Sequence, residues 1–298
     1  MILFRAQLFG TSNWDRERRF SFIVDTSKSL VLISLLPSDN SITVVFIHPD
    51  TYMEAANQYG TYKASALYRL GEIGKEGGNL LILTIQQVFG LPIEAYIRYN
   101  NENGYSISSV KSLDEWRRFK EERFSIVATF KQEIETNLVP YEMFWLISDI
   151  RKLSMGEVKI YDLKTFEVVS PFTLPDKSRV LRIDSDRLDK VLAGAFTEQK
   201  ILKENISIGV LNASRSKGRA ATVARIVSGM GGRVVSVANA RELVPEKCLV
   251  RTTKDFIDSY TLSRIVETFG CLKSTVENQD NISGPYEVEF LVGEEYNN

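Results

Sequence analysis

Apolar positions come first in long runs. Residues 20–24 (FSFIV), 30–36 (LVLISLL) and 42–47 (ITVVFI) are β-branched or apolar stretches separated by turn signals, the pattern of strands. The connection at 37–41 (PSDNS) is hairpin-like and predicts that the second and third runs pair antiparallel. The spacing then changes to about 3.6 residues in Lys63–Gly71 and Asn79–Phe89, which predicts two helices closed by Gly71 and Gly90. Residues 93–99 (IEAYIRY) read as another strand. A capping box of Ser112 with Glu115 starts a helix expected to run through 112–135, and Pro140 opens a further one over YEMFWLISDIRKL. Strands at 158–163 and 179–183 and a helix from the cap Asp184 complete this half.

Residues 197–205 (TEQKILKEN) are polar and aperiodic and read as a linker. Strand and helix then alternate: strands at 206–211, 233–239, 248–253 and 286–293, with helices at 219–230 and 255–269. That order predicts a small split-βαβ sandwich with its helices on one face. The whole chain therefore reads as α/β (α+β): a mixed sheet flanked by helices over 1–196, the linker, and the sandwich over 206–298.

Composition narrows the functional classes. The 298 residues are 44% hydrophobic and 25% charged with a formal net charge of -1, ordinary for a globular protein and without the basic stripe that nucleic acid requires. The clusters Arg16-Glu17-Arg18-Arg19 and Arg117-Arg118 sit among acids and read as solvated faces. Cys248 and Cys271 are too few for a disulfide framework; one bridge is open to them if the protein is exported. One histidine and two distant cysteines make no zinc site. No window reaches the ~20 apolar residues of a membrane helix, and the start MILFRAQLFG lacks a signal peptide's apolar core and cleavage site. As written the chain reads as soluble, an expectation that an upstream start with an anchor would reverse.

In the C-terminal part, Val210-Leu211-Asn212, Gly218 with Ala220, and Gly231-Gly232 resemble the opening of the C-terminal domain of LytR-type envelope proteins, with Ala213 where that family has Gly. The loop NASRSKGRAA lacks the first Gly and the Lys-Ser/Thr pair of a phosphate-binding loop, so it reads as a structural turn. In the first part, SKSLVLISLLP, IHPDTYM, QYGTYKASALY, VFGLPIEAY and ETNLVPYEMFWLISDI resemble, in that order, the catalytic domain of the LytR-CpsA-Psr (LCP) family, also called the cell-envelope-related transcriptional attenuator domain. The resemblance implies an exported, membrane-anchored phosphotransferase that binds a polyprenyl-phosphate carrier and moves its glycopolymer onto peptidoglycan. It also implies an acid that helps hold Mg²⁺ and arginines that clamp phosphate oxygens.

This chain departs from the family at those positions. Ser27-Lys28-Ser29 stands where the family has Ser-Asp-Thr, so Lys28 replaces the acid. His48-Pro49-Asp50-Thr51 stands where it has Pro-Arg-Asp-Thr, so Pro49 replaces the arginine, and the later arginine motifs have no counterpart. Removing one charge-stabilising group costs ~10²–10³ in rate, so no catalytic residue is assigned and no cofactor is expected, Mg²⁺ entering only if the family activity survives. Lys28, Asp50 and Lys63 remain as ligand-binding candidates, against the simpler reading of a loop-capping Asp50 and solvated lysines. His48, the only histidine, reads as a surface residue, and Asp25 as a turn residue in VDTSKS. The expected function is that of a non-catalytic envelope protein binding a lipid-linked glycan, peptidoglycan or a protein partner, with no nucleic acid. An active glycopolymer phosphotransferase and a cytoplasmic structural or regulatory module are the alternatives.

Overall fold

The structure, a computed structural model, describes residue 14 and residues 16–26, 29–99, 110–124, 134–153, 155–278 and 281–296. The chain divides into two compact units, Met1–Val88 with Ile93–Leu192, and Phe89–Pro92 with Ala193–Asn298.

In the first unit, β1 (Phe20–Asp25), β2 (Leu30–Leu36) and β3 (Ser41–Ile47) form the expected antiparallel meander, with Asp25 opposite Leu30 and Leu30 opposite Ile47. β4 (Thr51–Ala55) and β5 (Gly60–Lys63) follow, then α1 (Leu67–Ile73), α2 (Gly78–Phe89) and β6 (Ala95–Tyr99). Next come α3 (Leu113–Arg123), β7 (Ile134–Thr136), α4 (Pro140–Lys152), β8 (Val158–Asp162), β9 (Val169–Thr173), β10 (Arg179–Ile183) and α5 (Ser185–Val191). A six-stranded sheet has the order β7-β6-β1-β2-β3-β8, and a four-stranded one the order β5-β4-β10-β9.

The three opening runs are mostly apolar and almost wholly buried because both faces of the large sheet are covered. Phe22, Val24, Val31, Ile33, Val44 and Ile97 pack with Trp116 and Phe119 of α3 and with Met143, Leu146 and Ile150 of α4. Alternate residues, Ile23, Leu32 and Val45, face the other way and are wholly buried, as are Leu67 of α1 and Leu80, Leu81 and Ile85 of α2. On that side a Cβ added to Gly78 would lie 2.2 Å from the Tyr96 ring, so glycine lets α2 approach β6.

Two element ends differ from the sequence reading. Gly71 does not stop a helix that begins at Lys63; α1 starts at Leu67 and continues to Ile73. Gly71 is instead where the following turn folds back: the Glu76 and Gly77 N–H groups donate to its carbonyl, and a Cβ there would sit 2.0 Å from the Gly77 oxygen. The helix capped by Ser112 ends at Arg123, where the apolar Phe124 turns into the core at 1% exposure. Residues 134 and 135, expected in that helix, belong to β7; the rest of the expected helix, 125–133, lies outside the described residues.

The second unit contains α6 (Gln199–Glu204), β11 (Ser207–Asn212), α7 (Arg219–Gly229), β12 (Arg233–Asn239), β13 (Cys248–Thr252), α8 (Tyr260–Phe269), β14 (Leu272–Thr275) and β15 (Val288–Val292). Its sheet order is β12-β11-β15-β13-β14, with β15 parallel to β11 and antiparallel to β13, which is the split-βαβ plan. α7 and α8 share one core with the sheet, through Val223, Ile226, Leu262, Ile265 and Phe269 against Ile208, Val210, Val250 and Phe290. Cys248 and Cys271 are joined in a disulfide with Cα atoms 4.8 Å apart.

The stretch 197–205 is not a linker but part of this unit. Ile201 enters its core, and Glu198 accepts a 2.9 Å hydrogen bond from Arg264 Nε with both side chains 4% exposed. Glu204 accepts from the Tyr260 and Thr261 N–H groups at 2.8 and 2.7 Å, capping α8. Polar composition suggested solvent; each acid instead meets a donor of α8.

Candidate functional site

Strands β1, β3, β6 and β8 run parallel to one another and end on the same side of the large sheet. The carboxyl ends of parallel strands are where ligands of open α/β sheets gather. One rung crosses this edge, Glu135 opposite Arg98, Arg98 opposite Asp25, and Asp25 opposite Leu30. Opposed residues share a face, so three ionisable side chains converge there.

Asp25, the turn residue of the sequence reading, is buried, with its side chain 4% exposed. Arg98, 20% exposed, donates from Nη1 to Asp25 Oδ2 at 2.7 Å. The same guanidinium lies 4.1 Å from the centre of the Tyr68 ring, a cation–π contact that holds its plane. The Tyr68 hydroxyl donates to Glu135 Oε2. Burial first, and that hydrogen bond second, push the Tyr68 hydroxyl well above its ordinary pKa, so it stays a donor. Burial raises Tyr96 as well, whose ring centre lies 5.6 Å from that of Tyr68. At the β1–β2 turn the Thr26 N–H donates to the Ser29 carbonyl and the Ser29 N–H to Thr26 Oγ1, both at 3.1 Å.

Of the expected ligand-binding residues, Lys28 lies outside the described residues. Asp50 and Lys63 are brought together: Lys63 Nζ donates to Asp50 Oδ1 at 2.7 Å, with the side chains 38% and 45% exposed for lysine and aspartate. The lysine is thus neither simply solvated nor an unclaimed cation. The loop between β3 and β4 is held by its backbone, the Leu181 N–H donating to the Asp50 carbonyl at 2.9 Å and the Ser65 N–H to the Pro49 carbonyl at 3.2 Å. His48 Nδ1 accepts the Asp50 N–H at 3.2 Å, and partial burial lowers the imidazole pKa against the opposing pull of Asp50. The net lowering leaves the ring neutral near pH 7, and its acceptor nitrogen is already used.

The acids at this edge are therefore matched within the chain: Asp25 by Arg98, Asp50 by Lys63, and Asp162 by the Thr165 hydroxyl at 2.7 Å and the Lys164 N–H at 3.2 Å. Among the described residues no group of three or more His, Cys, Asp or Glu is placed to hold a metal ion. Sequence reasoning missed Asp25 and Arg98. The signal was an acid ending a largely apolar strand, FSFIVD, where burial demands a partner; finding Arg98 required knowing that β6 lies beside β1.

No protein-family model matches the chain, and no curated protein matches it. Solved structures to which it is similar are described as transcriptional regulators and as Tag proteins. They include the transcriptional regulator yvhJ from Bacillus subtilis (16% identity, 59% of this chain and 94% of that chain, TM-score 0.42). B. subtilis TagV (14%, 59% and 94%, 0.42) and TagT bound to LIIa-WTA (13%, 62% and 92%, 0.44) are two others.

Proposed function

We propose that this chain is a non-catalytic LCP-like protein of a bacterial cell envelope, which binds wall glycan through a frame whose phosphotransfer site has been replaced by internal ion pairs. The observation that carries the reading is the Asp25–Arg98 pair. A metal-binding acid must present its oxygens to the ion, whereas here a guanidinium held on Tyr68 claims the buried carboxylate at the strand ends. Lys28 and Pro49, at the positions where the resemblance calls for an acid and an arginine, point the same way. The zero exposure of Ile23, Leu32, Val45, Leu80, Leu81 and Ile85 adds to it. Side chains closed to water leave no channel for a polyprenyl chain where they meet, which favours the glycan over its lipid carrier.

The disulfide bears on location. Such bonds persist outside the reducing cytosol, so the Cys248–Cys271 bridge supports an extracytoplasmic protein over a cytoplasmic module. Among the described residues no helix is long and apolar enough to cross a membrane. Co-sedimentation of the protein with purified bacterial sacculi tests the binding claim: the protein is expected in the pellet and displaced by soluble wall glycan, and its retention in the supernatant would reject glycan binding.

A further inference from the structure

α4 packs one side onto the large sheet and turns the other to water. Its helical repeat puts Met143, Leu146, Ile147 and Ile150 on the buried side, all at or below 4% exposure. The same repeat gathers Tyr141, Phe144, Trp145, Ser148, Arg151 and Lys152 into one outward stripe. The outward stripe of a globular protein's helix is ordinarily polar. This one begins with aromatic side chains: Tyr141 is 63% exposed and Phe144 54%, and their ring centres lie 6.0 and 5.5 Å from that of the half-buried Trp145. It ends on two exposed cations, Arg151 and Lys152.

No acid lies on the stripe. The two carboxylates of α4, Glu142 and Asp149, sit on its flank and are both engaged. Glu142 accepts the Val139 N–H at 3.1 Å, and Asp149, 7% exposed, accepts from Arg16 Nε at 2.8 Å. Among the described residues Arg151 and Lys152 have no carboxylate partner.

We propose that this stripe rests on an anionic membrane surface, its aromatic rings entering the headgroup layer and Arg151 and Lys152 meeting lipid phosphates. Tyrosine and tryptophan favour that layer because each has an apolar ring and a polar tip. Unpaired cations beside an apolar patch match a surface of one charge sign. A sugar chain would need open, coplanar rings. Here the Arg16 guanidinium lies over Trp145, 4.2 Å from its centre, and Tyr141 and Phe144 stand at 79° and 74° to that ring. The contact is separate from the glycan binding proposed above and does not depend on it.

Flotation of the full chain with vesicles of phosphatidylglycerol and phosphatidylcholine tests this. The protein is expected to float with the mixed vesicles and to stay behind with phosphatidylcholine alone. Each cation near an anionic surface strengthens binding about fivefold, so Arg151→Gln together with Lys152→Gln should weaken it ~25-fold. Tyr141→Ser together with Phe144→Ser should abolish flotation and leave the thermal unfolding midpoint and pelleting with sacculi unchanged, since both side chains are exposed. Trp14 and Trp116 are buried, at 6% and 1% exposure, so Trp145 is the tryptophan that reports contact. Bromine-labelled lipid should quench the emission of the wild type and not that of Trp145→Phe. No flotation with the mixed vesicles, equal flotation with both compositions, or flotation that survives the Tyr141 and Phe144 substitutions would overturn the inference. Loss of sacculus pelleting in that variant would overturn it too, by making the stripe a glycan platform.

Discussion

Replacing Arg98 by methionine keeps most of the side chain's length on Tyr68 and removes the guanidinium, its charge together with its N–H donors. The Asp25 carboxylate, 4% exposed, would then have lost the Arg98 guanidinium. Breaking a buried pair by deleting one member costs ~3–5 kcal/mol, since the remaining charge stays desolvated. Arg98 is itself 20% exposed, so water reaches part of the pair and the lower end applies, about 3 kcal/mol. For a unit of this size a kcal/mol moves the midpoint by ~2–4 °C, giving a fall of about 6–12 °C. Calorimetry of the wild type, Arg98→Met, Asp25→Asn and the double variant closes the cycle. Asp25→Asn keeps an acceptor and removes the charge, so the double variant should recover most of the loss, with a coupling energy of at least ~1 kcal/mol. An Arg98→Met midpoint within 2 °C of wild type, or additive single effects, would refute the claim that this pair neutralises the strand ends.

Other consequences follow from single groups. His48, the only histidine, should titrate by NMR with a midpoint below 6.5, because burial outweighs the attraction of Asp50. Its folded pKa lies below the unfolded one, so stability should fall as pH drops from 6.5 toward the folded value; a midpoint above 6.5 contradicts this balance. Glu287 accepts from the Ser207 hydroxyl, which with the Ser207 N–H lowers its pKa. Its contribution is present above the unfolded carboxylate pKa and lost as pH falls through the folded one, so Glu287→Gln should flatten the acid limb of the second unit's stability curve. Replacing Cys248 and Cys271 by serine opens a loop with a sequence separation of 23 and should cost about 3 kcal/mol in urea unfolding by the chain-entropy account. A loss below 1 kcal/mol would mean that the surrounding core holds these strands without the bond.

How far the sequence reaches depends on what each element asks of its partners. β1, β2 and β3 were legible because long apolar runs with a short polar turn leave few alternatives, and the split-βαβ plan was legible from the alternation of periods. The segment 197–205 was misread because composition treats Glu198 and Glu204 as solvated, whereas Arg264 and the start of α8 supply their donors. β7 was misread because a helix signal starting at Ser112 gives no local sign of stopping at Phe124, a stop set by burial in the core. At the candidate site the Asp50–Lys63 pair joins two residues that sequence reasoning had already singled out, one just before β4 and one at the end of β5, strands linked by one turn. Asp25–Arg98 joins β1 to β6 across 73 positions and depends on strand order.

The central claim is that this frame has lost phosphotransfer. Phosphorus NMR of a polyprenyl-diphosphate-linked glycan, incubated with the protein, Mg²⁺ and an acceptor peptidoglycan, reads that reaction directly through the monophosphate it must release. Unchanged diphosphate resonances are expected over the time in which an active LCP phosphotransferase converts the substrate. A growing monophosphate signal that requires the protein would contradict the account.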